Sequence, residues 1–66
     1  MKTCVMIYGK GPELNKFRPF NYNDGCFEIN LLCASTWKIE HKSHVQGLID
    51  HMNKENEDYT FELREK

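Results

Sequence analysis

Apolar positions along the chain follow two periods, and the change from one to the other predicts the order of elements. Residues 2 to 8, Lys2-Thr3-Cys4-Val5-Met6-Ile7-Tyr8, are rich in β-branched and apolar side chains and hold no breaker, so they read as a strand. Cys4, Met6 and Tyr8 fall on one face and Thr3, Val5 and Ile7 on the other. Both faces are mostly apolar, which predicts a central strand. Gly9-Lys10-Gly11-Pro12 ends it and opens an irregular loop to Asn15. Lys16-Phe17-Arg18-Pro19-Phe20-Asn21-Tyr22 reads as a second strand, with Pro19 confining it to an edge, a strand start or a bulge. Asn23-Asp24-Gly25 has the composition of a tight hairpin connection. Phe27 to Ala34 alternates at its start and becomes continuously apolar at its end, predicting a third strand, with Ser35 and Thr36 closing it and helping to cap the next element.

From about Glu40 to Asn53 the period lengthens. Val45, Leu48, Ile49 and Met52 stand at i, i+3, i+4 and i+7, the stripe of one amphipathic helix, with His41 near its middle and Gln46, Asp50 and Lys54 turned away. Asn53 to Asp58 is a polar turn. Tyr59-Thr60-Phe61-Glu62-Leu63-Arg64 then alternates cleanly, Tyr, Phe and Leu inward and Thr, Glu and Arg outward. The reading is a single α+β domain over residues 1–66, a small mostly antiparallel β-β-β-α-β sheet with one amphipathic helix packed on one face. The last strand is placed beside the first, in a spatial order such as 4-1-2-3. A right-handed crossover applies if the third and fourth strands are parallel.

One helix covers one side of a sheet, yet the first strand and segment 16–22 carry apolar side chains for both sides. The loop from Gly9 to Asn15, with Leu14, or a second protein chain is expected to supply the missing cover. This imbalance motivates the functional expectation of a non-enzymatic protein-interaction module, with an unknown protein partner or a second copy meeting an uncovered sheet face or edge.

At 66 residues the chain has room for one small core and little left for a deep pocket. Nine Lys and Arg against ten Asp and Glu give a net charge of -1, without the basic field of a DNA-backbone binder. The signs are uneven, Lys2, Lys10, Lys16 and Arg18 lying early and Glu55, Glu57, Asp58, Glu62 and Glu65 late, which reads as ordinary solvated faces. The longest apolar run, Cys4 to Tyr8, is too short for a bilayer span or a secretory signal core, so no membrane association and a cytoplasmic location are expected. Cys4, Cys26 and Cys33 form no CxxC pair and fit reduced thiols acting as small apolar residues.

Candidate chemistry is sparse. His41 and His44 stand at i and i+3 and have the spacing to share a zinc with Cys33 or Cys4, but only this half of a four-ligand set is present, and His51 lies about two turns further on. Structural or surface histidines are expected, with His41 partly buried and hydrogen-bonded, and neither a cofactor nor a metal nor a catalytic residue is assigned. Cys33 beside Leu31-Leu32 reads as core rather than nucleophile. Gly9-Lys10-Gly11-Pro12 lacks the Gly-Lys-Ser or Gly-Lys-Thr ending of a phosphate loop. Trp37 reads as a packing lid over the helix start. The sharpest pattern is Lys16, Phe17, Arg18, Phe20 and Tyr22, bases interleaved with rings. It is the candidate binding surface and carries the alternative function, weak single-stranded nucleic-acid binding; the competing reading places these rings in the core or a protein interface.

Three stretches together are similar to short uncharacterised proteins encoded by bacterial phages and other mobile elements: the N-terminal strand, Asn30-Leu31-Leu32-Cys33-Ala34-Ser35-Thr36, and Glu57-Asp58-Tyr59-Thr60-Phe61-Glu62. The resemblance covers most of the chain. It implies a bacterial intracellular setting and assigns no activity to any residue.

Overall fold

The computed structural model describes residues 2–13, 15–29 and 31–66. Its backbone is an antiparallel sheet built around β1 (Cys4–Lys10), with β2 (Arg18–Asn21), β3 (Cys26–Phe27), β4 (Thr36–Lys38) and β5 (Thr60–Glu65), and one helix, α1 (Lys42–Glu55), on one face. The α+β class and the single packed helix are those the hydrophobic pattern predicts. β1 is central because both its edges are used. β5 runs along the whole of one edge, from Val5 opposite Glu65 to Lys10 opposite Thr60. The other edge is shared end to end: β4 pairs with Cys4 to Met6, and β2 with Tyr8 and Gly9. The Ser35 N–H donates to the Phe20 carbonyl at 3.3 Å and joins these two short strands.

Pro19 fits inside β2 because of the way the backbone alternates. Its carbonyl accepts from the Glu28 N–H at 2.8 Å, on the β3 side. The N–H that proline lacks belongs to that same side, so the ladder to β1 loses no donor. The turn after β2 is built as its sequence predicts. Gly25 takes a φ of +68°, the Gly25 N–H donates to the Asn21 carbonyl at 2.8 Å, and the Asp24 N–H donates to Asn21 Oδ1 at 3.0 Å.

Two expectations are corrected beyond this turn. The third strand spans only Cys26–Phe27; Leu31–Cys33 form a 3₁₀ turn and Thr36–Lys38 a separate strand, β4. Polar side chains hold the segment in this path, with Asn21 Nδ2 donating to the Cys33 carbonyl at 3.1 Å and Ser35 Oγ accepting from the Tyr22 N–H at 2.8 Å. Ser35 therefore braces the end of β2 instead of capping a helix, and Trp37 is a strand residue whose half-buried ring packs against the core and meets Tyr22 edge-on at 6.2 Å. The last strand does lie beside the first, with the order β5-β1-β2-β3, but it runs antiparallel to β1. β4 and β2, which share the opposite edge of β1, both run parallel to β5.

The core joins the inner face of the sheet to the predicted helical stripe. Val5, Ile7, Phe20 and Phe61 pack with Val45 and Ile49, and Phe27, Trp37, Ile39, Met52 and Leu63 close around them. A 3₁₀ turn over Ile39–His41 leads into α1. His41 stands at the helix entrance, with its side chain exposed and 4.0 Å from Glu40, so its expected burial is not found. Cys33 is also exposed rather than core, because the 3₁₀ turn carries it outward. All three cysteines are free thiols.

The face of the sheet away from α1 decides the expectation about missing cover. Met6 and Tyr8 point to that face, yet they are only 2% and 8% exposed. Arg64, opposite Met6 on β5, lays its guanidinium 4.1 Å above the Tyr8 ring, and Phe17 flanks it at 5.6 Å. The guanidinium of a long charged side chain lies over the Tyr8 ring and contributes to the cover on this face. Among the described residues no uncovered apolar sheet face is thus found, and the edges and clefts are the surfaces that remain. Leu14, expected to help here, lies outside the described residues.

Candidate functional site

The five residues Lys16, Phe17, Arg18, Phe20 and Tyr22 do not assemble into one platform. Phe20 is in the core, Phe17 and Arg18 are half-buried, and Lys16 and Tyr22 are exposed. Strand alternation sends Phe17 to the face away from the helix and Phe20 to the helix face. No stacking surface for bases results from this segment. The histidines also stay apart from the thiols: among the described residues, the one group of at least three His, Cys, Asp or Glu side chains with converging ligand atoms is Asp24, Cys26 and Glu28, on the β2–β3 hairpin.

Two other surfaces come from residues far apart in sequence. The first is an apolar cleft of about 380 Å³ at the end of the sheet, between the β2–β3 hairpin and the turn from α1 into β5. Its lining includes Phe20, Phe27, Met52, Tyr59 and Phe61, with Cys26 at the hairpin side. Phe27, Tyr59 and Phe61 are near-parallel: Phe27 and Phe61 lie 6.2 Å apart at 4°, Tyr59 and Phe61 6.4 Å apart at 22°, and Phe27 and Tyr59 5.9 Å apart at 25°. A column of three rings would put the outer pair near 7 Å or beyond, at about 3.5 Å per layer. The nearly equal spacings therefore describe a triangle in which no ring is sandwiched on both faces by the other two.

Two glycines let this cluster approach β1. A Cβ on Gly9 would lie 2.7 Å from Phe27 Cε1 and from two Phe61 ring atoms, and one on Gly11 would overlap the Tyr59 ring. Gly9, expected to start the loop, stays in the strand and serves as the seat of these rings. Tyr59, expected to point inward, is 39% exposed at the mouth.

Acidic side chains stand on both sides of the cleft. On the hairpin, the ligand atoms of Asp24, Cys26 and Glu28 lie within 4.8 Å of one another. Cys26 Sγ hydrogen-bonds Glu28 Oε1 at 3.4 Å, and this bond, with lesser contributions from desolvation and the charges of Glu28 and Asp24, raises the thiol above its ordinary value. On the other side, a hollow that shares Asn56 and Tyr59 with the cleft is lined by Lys54, Glu55, Glu57 and Asp58.

The second surface is the outer edge of β5. Asn53 reaches down from α1 and pairs with Phe61 as a neighbouring strand would: its Oδ1 accepts from the Phe61 N–H at 2.7 Å, and its Nδ2 donates to the Phe61 carbonyl at 3.0 Å. Backbone groups alternate in direction along a strand, so those of Leu63 and Glu65 also point to this edge. They have no hydrogen-bond partner among the described residues. At the side-chain level Glu62 pairs with Arg64 at 2.5 Å, and Lys42 pairs with Glu65.

Among the described residues no helix is long and apolar enough to cross a membrane. The chain matches no protein-family model, no curated protein and no solved structure.

Proposed function

We propose that this chain is a non-enzymatic, cytoplasmic protein-interaction module that associates with a second copy of itself through the outer edge of β5. The carrying observation is the half-closed edge: Asn53 occupies Phe61 and leaves the outward backbone groups of Leu63 and Glu65 free for another strand. A two-fold axis through Leu63 in an antiparallel pair sets Glu62 of one copy opposite Arg64 of the other, and Arg64 opposite Glu62; the two Leu63 backbones then bond each other, while each Glu65 faces a Phe61 that Asn53 already holds, so Leu63 supplies the backbone bonds of this register. The register is thereby charge-complementary across the interface.

Sedimentation equilibrium across micromolar to high micromolar concentrations tests this reading. The expected result is a concentration-dependent dimer that Arg64→Glu dissociates and the double reversal Glu62→Arg with Arg64→Glu restores. A strict monomer at high micromolar concentration overturns the proposal, as does a dimer indifferent to both variants.

A further inference from the structure

We infer that the aromatic cleft between the β2–β3 hairpin and the α1–β5 turn is a second docking site, one that takes the cationic side chains of a basic, extended segment of a partner protein. It is independent of the β5 edge. Aromatic rings carry a negative quadrupole on their faces, which attracts an ammonium or, better, a planar guanidinium. Tyr59 and Phe27 are the two rings of the cluster that are not fully buried. Neither Gly9 nor Gly11 lines the cleft, so the cluster rests on the β1 backbone on one side and opens on the other.

The walls supply the second half of the recognition. Asp24 and Glu28 stand on the hairpin beside Cys26, and Glu55, Glu57 and Asp58 stand on the turn with Lys54 as the base among them. These acids are about 30 residues apart in sequence, and the fold brings them to opposite sides of one apolar opening. A phosphate or an acidic peptide meets repulsion there; a basic segment meets complementary charge and a surface on which its side chains stack. The aliphatic stems of Arg or Lys would lie against Met52 and the rings, with their charged heads reaching the acids that flank the opening on the hairpin and the turn.

The test is a two-dimensional NMR titration of the full chain with acetylated, amidated penta-arginine, alongside pentalysine, pentaglutamate and an oligothymidylate. Saturable shifts are expected for Phe27, Tyr59, Asp24 and Glu57 with penta-arginine, weaker ones with pentalysine, and none with the two anions. Tyr59→Leu keeps every charge and removes the most exposed ring of the cluster, and it is expected to weaken penta-arginine binding about three- to fivefold. Glu57→Gln with Asp58→Asn is expected to weaken it while leaving the fold intact, since both acids are exposed. Shifts spread over all acidic surfaces, equal binding by the Tyr59→Leu variant, or preferential binding of either anion overturns the inference. Comparing the titration with an Arg64→Glu monomer separates the cleft from the β5 edge, because cleft binding is expected to persist when the dimer is lost.

Discussion

Gly9→Ala places one methyl group where the structure has no room for it. The added Cβ lies 2.7 Å from Phe27 Cε1 and from Phe61 Cδ1 and Cε1, against at least 3.4 Å for ordinary contact, so the rings must retreat by about 0.7 Å. Phe61 is buried and meets Phe20 edge-on at 5.1 Å, while Phe27 meets Phe20 at 5.2 Å. Moving either ring therefore pushes the core rather than solvent. Overpacking of this kind costs about 1–3 kcal/mol, and replacing glycine inside a strand returns about 0.5–1 kcal/mol of backbone entropy. The balance is a loss of about 1–2 kcal/mol, read as a fall of about 4–8 °C in the thermal midpoint for each kcal/mol. Gly47→Ala is the internal control. It stands on the exposed side of α1 with no atom within 4 Å of the added Cβ, so it is expected to stabilise by about 1 kcal/mol. Thermal and urea unfolding of the two variants measure both effects. A Gly9→Ala protein as stable as the native chain, beside a stabilised Gly47→Ala, would show that the ring cluster does not rest on the β1 backbone.

Two further predictions concern the edge and the helix start. Asn53→Ala removes both bonds to Phe61 and leaves a part-buried N–H and C=O unpaired, which costs about 1–3 kcal/mol; hydrogen exchange at the Phe61 amide should accelerate selectively, and unchanged protection there would refute the strand-like role of Asn53. The hydrogen bond from Lys42, and then its charge, hold the Glu65 carboxyl below its ordinary range. Because the folded state disfavours the proton, this pair stabilises above the unfolded carboxylate pKa, and the contribution is lost as pH falls through the lowered folded value. An NMR titration of the Glu65 carboxyl should show a midpoint below those of free glutamates that moves up in Lys42→Ala; a midpoint indifferent to that substitution would rule out the pairing.

The parts of the fold that were legible in the sequence are those in which one local pattern decides the outcome. The stripe of Val45, Leu48, Ile49 and Met52 has one good solution, a helix with Val45 and Ile49 at its most buried line. Asn23-Asp24-Gly25 likewise leaves the backbone one low-cost path, with Gly25 at positive φ. The run from Phe27 to Ala34 misleads because apolarity alone does not say what a residue touches. Ile29 and Leu32 are 93% and 91% exposed, and the path of the chain there is set by Asn21 and Ser35, whose partners are 12 and 13 residues away. His41 misleads for a related reason: an angle on a helical wheel has meaning only within the helix, and His41 sits before its first turn.

The candidate sites were hidden for a stronger reason, since neither is a property of any segment. In sequence the late acids are a charge run and nothing more, and Gly9-Lys10-Gly11-Pro12 reads as the end of a strand. In the fold, pairing of β5 with β1 sets Phe61 opposite Gly9, and the absent side chain of that glycine makes room for the ring. The β2–β3 hairpin then brings Phe27 to the same place and carries Asp24 and Glu28 with it. The turn after α1 contributes Tyr59 and its neighbouring acids from the other side. A small chain with its sheet face already sheltered by Arg64 has its recognition surfaces where elements end, and those ends are positioned by strand pairing. The same register that closes the core thus determines which charges surround the open rings.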